Sequence, residues 1–386
     1  MLVLGAGLAA TALVAALRSG GFAGEITVAG DEDPYDRPPL TKELFARSAP
    51  EDLREQFSLA ADAAAWIRAR ATGIEGGVVT LRDGAGRAMT ATAGAVVLAL
   101  GSRPIVPVGW EGVRTLSRWD DAVALRTALA PGAHLVIAGA GWIGLELASS
   151  AAAEGVTVTV VEDTGRPLGR LLPEPVAERV TAWLRAVTPG TVTLVEGRVA
   201  TASPTTLDLT DGRVVRGDVV VAALGARPAT DWLPRQWLGP AGHVRTALSG
   251  TVRGASGIWA IGDCAAAPGG QHWNAAVASA QRCADALLGN PVADPPVPSV
   301  FSTMFGRRVE LVGHASPGHE VLWREGRGNG WAALFMDGDD LVGGLVVDRP
   351  RDVAALRRLV GGGRPVLDRA AAADPARRLA DAVRRR

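Results

Sequence analysis

Two glycine-rich turns, each with an apolar strand before it, a helical run after it and an acid ending the next strand, predict an α/β chain with two Rossmann-like nucleotide-binding units. A third observation supports this class. The apolar runs AVVLAL and VVVAAL each end in a Gly-x-Arg-Pro turn. Strands that are apolar throughout, with no alternation, belong to sheets covered on both faces.

The first unit opens with a strand at Leu2–Leu4, followed by Gly5, Gly7 and Ala10 in a GxGxxA turn and an alanine-rich helix to about Ser19. A second strand over Glu25–Ala29 leads to Asp31 and Glu32. The glycines permit the tight turn and let backbone N–H groups approach a pyrophosphate at the helix N-terminus, while the acid accepts hydrogen bonds from a ribose. The second unit repeats the pattern in full. His134–Ala138 is the strand, Gly139, Gly141 and Gly144 make a GxGxxG turn, Glu146 opens the helix, and Val156–Val161 delivers Glu162. One such turn is weak evidence, but two in context imply two bound nucleotides.

The remaining elements end where open α/β sheets take ligands. AVVLALGSRP places Leu100 and Gly101 after a strand, VVVAALGARP places Gly225 after another, and GIWAIGDCA ends a strand in Gly262 and Asp263. An acid at a strand's carboxyl end, next to a glycine, sits at the edge where such sheets bind.

Composition bounds what else the chain can do. Its 386 residues, 48% hydrophobic, suffice for two or three cores. The 40 basic and 40 acidic side chains balance, so no global charge steers it to nucleic acid or membrane. Its two cysteines, Cys264 and Cys283, have neither zinc-site nor redox-dithiol spacing and read as packed small side chains in a reducing compartment. No apolar run reaches the roughly 18 residues of a membrane-spanning helix, and the expectation is a soluble cytoplasmic protein, monomer or homodimer.

Taken in order, GAGLAA, PYDRPPLTK, ALGSRP, GAGWIGLE, VVE, ALGARP and AIGDCA resemble the single-flavin ferredoxin reductases of oxygenase systems, relatives of putidaredoxin and rubredoxin reductases and of apoptosis-inducing factor. The resemblance runs from Gly5 to about Val360, and PYDRPPLTK is its most specific element. It implies an FAD domain split in sequence, 1–107 plus 227–296, an inserted NAD domain at 108–226 and a C-terminal α+β domain at 297–386.

It also implies roles. Gly5, Gly7, Ala9, Ala10, Asp31, Leu100, Gly101, Gly262 and Asp263 would hold FAD, Asp263 on its ribityl chain, with Trp273 near the ring and Arg37 near the phosphates. Gly139, Gly141, Trp142, Ile143 and Gly144 would cradle the nicotinamide cofactor, Glu146 would reach its nicotinamide side and Glu162 its adenine ribose, with Gly225 close by. A carboxylate at Glu162 repels a 2′-phosphate, so NADH is expected over NADPH, although Arg166 and Arg170 follow closely enough to soften that preference.

Lys42, the chain's single lysine, matches the lysine beside the flavin ring. A compact ammonium offsets negative charge on the ring in a way that a bulkier guanidinium does not. Tyr35, the single tyrosine, is read as packing over the proline turn, and His272 as a supporting or surface side chain.

The resemblance implies transfer of electrons from NADH through FAD to a [2Fe–2S] ferredoxin serving a P450 or ring-hydroxylating oxygenase. The absence of cysteine near the first turn or Lys42 argues against disulfide chemistry. Departures bear on the acceptor: Gly269 and Gln271 replace an Arg-x-Glu, Ser117 replaces an arginine, and Phe301, Ser302, Thr303 and Met304 replace Trp-Ser-Asp-Gln. These leave two alternatives, direct reduction of a small molecule or oxygen, and a flavin–NADH binding protein like apoptosis-inducing factor. Arg307, Arg308, Arg349, Arg351, Arg357 and Arg358 are either a basic docking surface for an acidic ferredoxin or a solvated helix face.

Overall fold

The computed structural model describes residues 1–186, 191–266, 272–326 and 328–384. The chain divides into two compact units. One comprises Met1–Asp36, Ala49–Arg103 and Ala226–Pro298; the other comprises Arg37–Ser48, Pro104–Gly225 and Ser299–Arg386.

In the first unit Leu2–Leu4 lies in a seven-stranded sheet, with Thr27–Gly30 parallel on one side and Val96–Leu98 parallel on the other. Ile258–Ala260 extends the sheet beyond Val96–Leu98, and Ala65–Glu75 extends it beyond Thr27–Gly30. Val78–Asp83 and Ala88–Thr92 then add an antiparallel edge. The strands read as apolar throughout because both faces are covered. Leu2, Leu4, Val96 and Leu98 enter one core, and Val3, Val28 and Val97 enter another with the helices Leu8–Ser19 and Trp273–Leu287. The second strand begins two residues later than the apolar run Glu25–Ala29 suggests and ends at Gly30.

The second unit repeats the parallel core. Its four strands run in the order Val192–Glu196, Thr157–Glu162, His134–Ala138, Val219–Ala222, all parallel. Helix Trp142–Ala153 follows the glycine turn, beginning four residues before Glu146, which is therefore inside the helix and not at its opening. A three-stranded antiparallel sheet, Val199–Ala202, Thr206–Leu209 and Val214–Arg216, is also present. The C-terminal part is a five-stranded antiparallel sheet ordered Ser299–Met304, Arg307–Gly313, Asp340–Val347, Trp331–Asp337, Glu320–Glu325, packed by helix Pro350–Gly361.

A buried arginine ties the last segment to this sheet. Arg324, 1% exposed, pairs with Asp352 and donates to the carbonyls of Ala372, Asp374 and Arg377. A buried guanidinium is tolerable only when its donors are met, and this one meets a carboxylate and three carbonyls.

Candidate nucleotide sites

The two glycine turns have the same backbone construction. Gly5 N–H donates to Ala29 O at 2.7 Å and Gly139 N–H to Val161 O at 2.8 Å. Ala99 N–H donates to Leu4 O and Ala223 N–H to Ala138 O in the matching places. The first glycines adopt φ of +102° and +103°, and a Cβ on them would fall 2.1 Å from Ala99 O or 2.6 Å from Ala223 O. Here both conformation and space require glycine.

The second glycines are different. A Cβ on Gly7 or Gly141 would meet nothing within 4 Å, and both have extended backbones. Nothing in the protein demands glycine there, whereas a bound pyrophosphate does. Neither helix that follows has a capping side chain or an acid in its first turn. Their N-terminal amides and positive dipole ends could each hold the phosphates of a nucleotide.

The third positions pack the helices. Ala10 is fully buried, and a Cβ on Gly144 would fall 2.1 Å from Gly139 O. Gly262, at φ +66°, would bring a Cβ within 2.9 Å of Ala9 Cβ, so small residues let the end of Ile258–Ala260 approach the first turn of Leu8–Ser19. Trp142 is half-buried and Ile143 exposed at the start of their helix.

The acids sit at different registers. Because Ala29 and Val161 are equivalent, Gly30 occupies the place of Glu162, and a Cβ there would clash with Ala6 Cβ at 2.4 Å. The first unit's acid is therefore one residue later, at exposed Asp31. Glu162 is tied to its own turn: Oε2 accepts from Ala140 N–H at 2.8 Å, and Oε1 from Thr164 N–H and Oγ1 at 3.3 and 3.2 Å. Burial raises its pKa from the ordinary carboxylate value.

At the carboxyl edge of the first sheet, Leu100 and Gly101 follow Val96–Leu98, and Asp263 lies in the turn after Ile258–Ala260. Ser102 Oγ donates to Asp263 Oδ2 at 2.9 Å, and Trp273 Nε1 donates to Asp36 Oδ1 at 3.0 Å. Tyr35, 7% exposed, donates to Glu32 Oε1 at 2.7 Å. Half-buried His272 precedes helix Trp273–Leu287, and burial lowers its pKa.

Both cysteines are buried, and burial pushes each thiol up to about 12. Thiols so protonated are poor nucleophiles, which agrees with reading them as packing residues. Gly269 and Gln271 lie outside the described residues.

In the second unit, Lys42, Glu146 and Ser302 meet although they are distant in sequence. Thr41 Oγ1 donates to Glu146 Oε2 at 2.5 Å, and Ser302 Oγ donates to Oε1 at 2.6 Å. Lys42 Nζ lies 3.7 Å from Glu146 Oε1, donates to Phe301 O at 3.3 Å and stands 4.2 Å from the Phe301 ring centroid. Glu146 is 8% exposed, so its charge is met by two hydroxyls and an ammonium in a dry setting. Sequence reasoning reached Lys42 and Glu146 but missed Thr41 and Ser302 as their partners.

Arginines hold the Lys42 segment in this unit. Arg37 donates to Ser117 O, and Arg126 donates to Leu44 O and Arg47 O. Gly225, at φ +94°, follows the strand Val219–Ala222 beside exposed Leu224. The arginines considered for docking are partly engaged: Arg349 pairs with Asp352, Arg357 with Glu310, and Arg307 lies over Trp183, while Arg351 and Arg358 are exposed.

Residues 1–280 match the pyridine nucleotide-disulphide oxidoreductase family, and residues 300–383 match the reductase C-terminal family. The chain is similar to the ferredoxin reductase component of chlorobenzene dioxygenase from Cupriavidus sp. (strain PS12), 32% identical over 99% of this chain and 97% of that one. It is also similar to the ferredoxin–NAD(+) reductase subunit of the benzene 1,2-dioxygenase system of Pseudomonas putida, 33% identical over 93% and 91%. Among solved structures, Fdr9 superposes with a TM-score of 0.86 at 31% identity, covering 98% of both chains. Putidaredoxin reductase in its covalent complex with putidaredoxin gives 0.85 at 24% identity, over 95% and 93%, a likeness of fold.

Proposed function

We infer, because the chain belongs to the pyridine nucleotide-disulphide oxidoreductase family, that it is an NADH-dependent FAD reductase passing electrons to a ferredoxin-type [2Fe–2S] protein of an oxygenase system. The observation that carries this reading is the match to ferredoxin reductase components over 99% and 93% of the chain, which spans both glycine turns and the C-terminal sheet. In this reading residues 1–107 and 227–296 form the FAD domain, 108–226 the NAD domain and 297–386 the C-terminal reductase domain.

FAD, when bound, supplies the exchange between a two-electron donor and a one-electron acceptor that side chains lack. The chain's own residues bind, orient and set charge. Gly7 leaves its turn open to a pyrophosphate, Asp31 offers a carboxylate to a ribose, and Asp263, steadied by Ser102, offers one to the ribityl hydroxyls. Gly141 leaves the second turn open, and Glu162 receives the adenine ribose and repels a 2′-phosphate, favouring NADH over NADPH. Glu146, held by Thr41 and Ser302, orients the nicotinamide carboxamide. Lys42, matched to the lysine beside the flavin, offsets negative charge on the ring. Buried thiols leave disulfide chemistry without a nucleophile.

Steady-state assays test this reading. With NADH the FAD-loaded protein should reduce ferricyanide directly, and cytochrome c rapidly only after a [2Fe–2S] ferredoxin is added. Rapid cytochrome c reduction that is indifferent to any ferredoxin would overturn the electron-carrier assignment.

A further inference from the structure

The loop after the strand Thr157–Glu162 is fastened to the phosphate turn through both backbone groups of Ala140. Its N–H donates to Glu162 Oε2 at 2.8 Å, and its carbonyl accepts from Leu168 N–H at 2.9 Å. Leu168 makes that contact at φ +55°, a left-handed conformation that a branched side chain adopts only when surroundings enforce it. Thr164 ties the loop internally, donating to Glu162 Oε1 and to Arg166 O.

Arg166 and Arg170 stand two residues to either side of Leu168, so the segment clamped on the nucleotide turn carries two guanidinium groups. Guanidinium is the side chain best suited to a phosphate. Each one is engaged. Arg166 Nη1 lies 2.6 Å from Glu174 Oε1, and Arg170 Nη2 pairs with Asp163 Oδ2. The hydrogen bond between Asp163 and Glu162, and after it the pairing with Arg170, hold the Asp163 carboxyl below the ordinary carboxylate range.

We propose that Asp163 and Glu174 are specificity-determining residues, which withhold Arg170 and Arg166 from a 2′-phosphate and so share with Glu162 the preference for NADH over NADPH. The proposal rests on the NADH reading above. Glu162 acts by repulsion, and the two outer carboxylates act by occupying the cations that would answer a phosphate. Both pairs are solvent-exposed, so each costs little to break and each released arginine gains a modest amount.

The test is calorimetric titration of the FAD-loaded protein with NAD+ and with NADP+, using the wild type, Asp163→Asn, Glu174→Gln and the double variant. Each single variant should tighten NADP+ about threefold and the pair about tenfold, with NAD+ unchanged within about twofold. Adding Arg166→Gln and Arg170→Gln to the double variant should abolish the gain. Parallel changes in both nucleotides, no change in NADP+, or a gain that survives loss of both arginines would overturn the proposal. A wild type that binds NADP+ more tightly than NAD+ would remove its premise, and that is seen before any variant is made.

Discussion

The ammonium of Lys42 stands 3.7 Å from Glu146 Oε1, and the same carboxylate oxygen accepts from Ser302. The chain's single lysine is thus fixed by a helix of the parallel-sheet region and a strand of the C-terminal sheet. Phe301 adds its carbonyl and ring face to the same ammonium. Three contacts thus fix the position of the ammonium.

Replacing that charge should slow chemistry, and it should also cost some stability because buried Glu146 loses its cation. For Lys42→Met we expect the first-order rate of flavin reduction by NADH to fall by about 10²–10³, the cost of removing one preorganised stabilising group. Lys42→Arg should recover little of it, because a planar guanidinium spreads its charge and does not reproduce a compact ammonium. Rapid-mixing absorbance at the flavin band reads both, and a Met variant as fast as wild type would remove Lys42 from the chemistry.

Glu146 should matter to stability as well. Glu146→Ala leaves Lys42, Thr41 and Ser302 facing a buried gap, and we expect a loss of about 3 kcal/mol in urea unfolding. Glu146→Gln keeps an acceptor for one hydroxyl and should lose about 1 kcal/mol while raising KM for NADH. Equal stability of the two variants would contradict the hydrogen-bonding account.

Gly141 and Gly144 separate binding from folding. A methyl at Gly141 meets no protein atom within 4 Å, so Gly141→Ala should fold normally and weaken NADH binding at least about tenfold by occupying the pyrophosphate's place. A methyl at Gly144 meets Gly139 O at 2.1 Å, so Gly144→Ala should lower stability by about 1–3 kcal/mol. Thermal melting with NAD+ titration distinguishes them. If Gly141→Ala binds normally, the open space there is not a phosphate cradle.

The buried thiols give an alkaline signature. Burial raises Cys264 and Cys283 from 9.0 to about 12, so their contribution to stability is complete below pH 9 and is lost as pH rises toward 12. Each thiol can account for up to about 1.4 kcal/mol per pH unit in that window. Urea midpoints at pH 8 and pH 10 should therefore fall further in the wild type than in a Cys264→Ala, Cys283→Ala double variant. Identical pH dependence would mean that the thiols are not buried from water.

The glycine turns were legible because backbone conformation leaves a sequence mark: Gly5 and Gly139 stand where φ is positive and a carbonyl leaves no room for Cβ. Glu162 was legible because it ends an apolar strand at the expected distance. Thr41 and Ser302 were not, since each meets Glu146 across 105 or 156 residues and no local pattern records such a meeting. The same limit hid Arg324, an arginine in an apolar strand whose partners lie 28 to 53 residues away. The one-residue offset between Asp31 and Glu162 was also invisible, because it follows from Ala6 packing on Gly30. Nor does the run of arginines record that Arg349 and Arg357 answer Asp352 and Glu310 within the C-terminal region.

The most direct measurement is anaerobic stopped-flow reduction of the FAD-containing protein by NADH and by NADPH, followed by mixing with an oxidised [2Fe–2S] ferredoxin. Rapid bleaching of the flavin band with NADH, slower bleaching with NADPH and reoxidation as the ferredoxin is reduced would bear out the electron path from nicotinamide to iron–sulfur protein. A protein that carries no flavin, or one whose flavin NADH leaves oxidised, would contradict it.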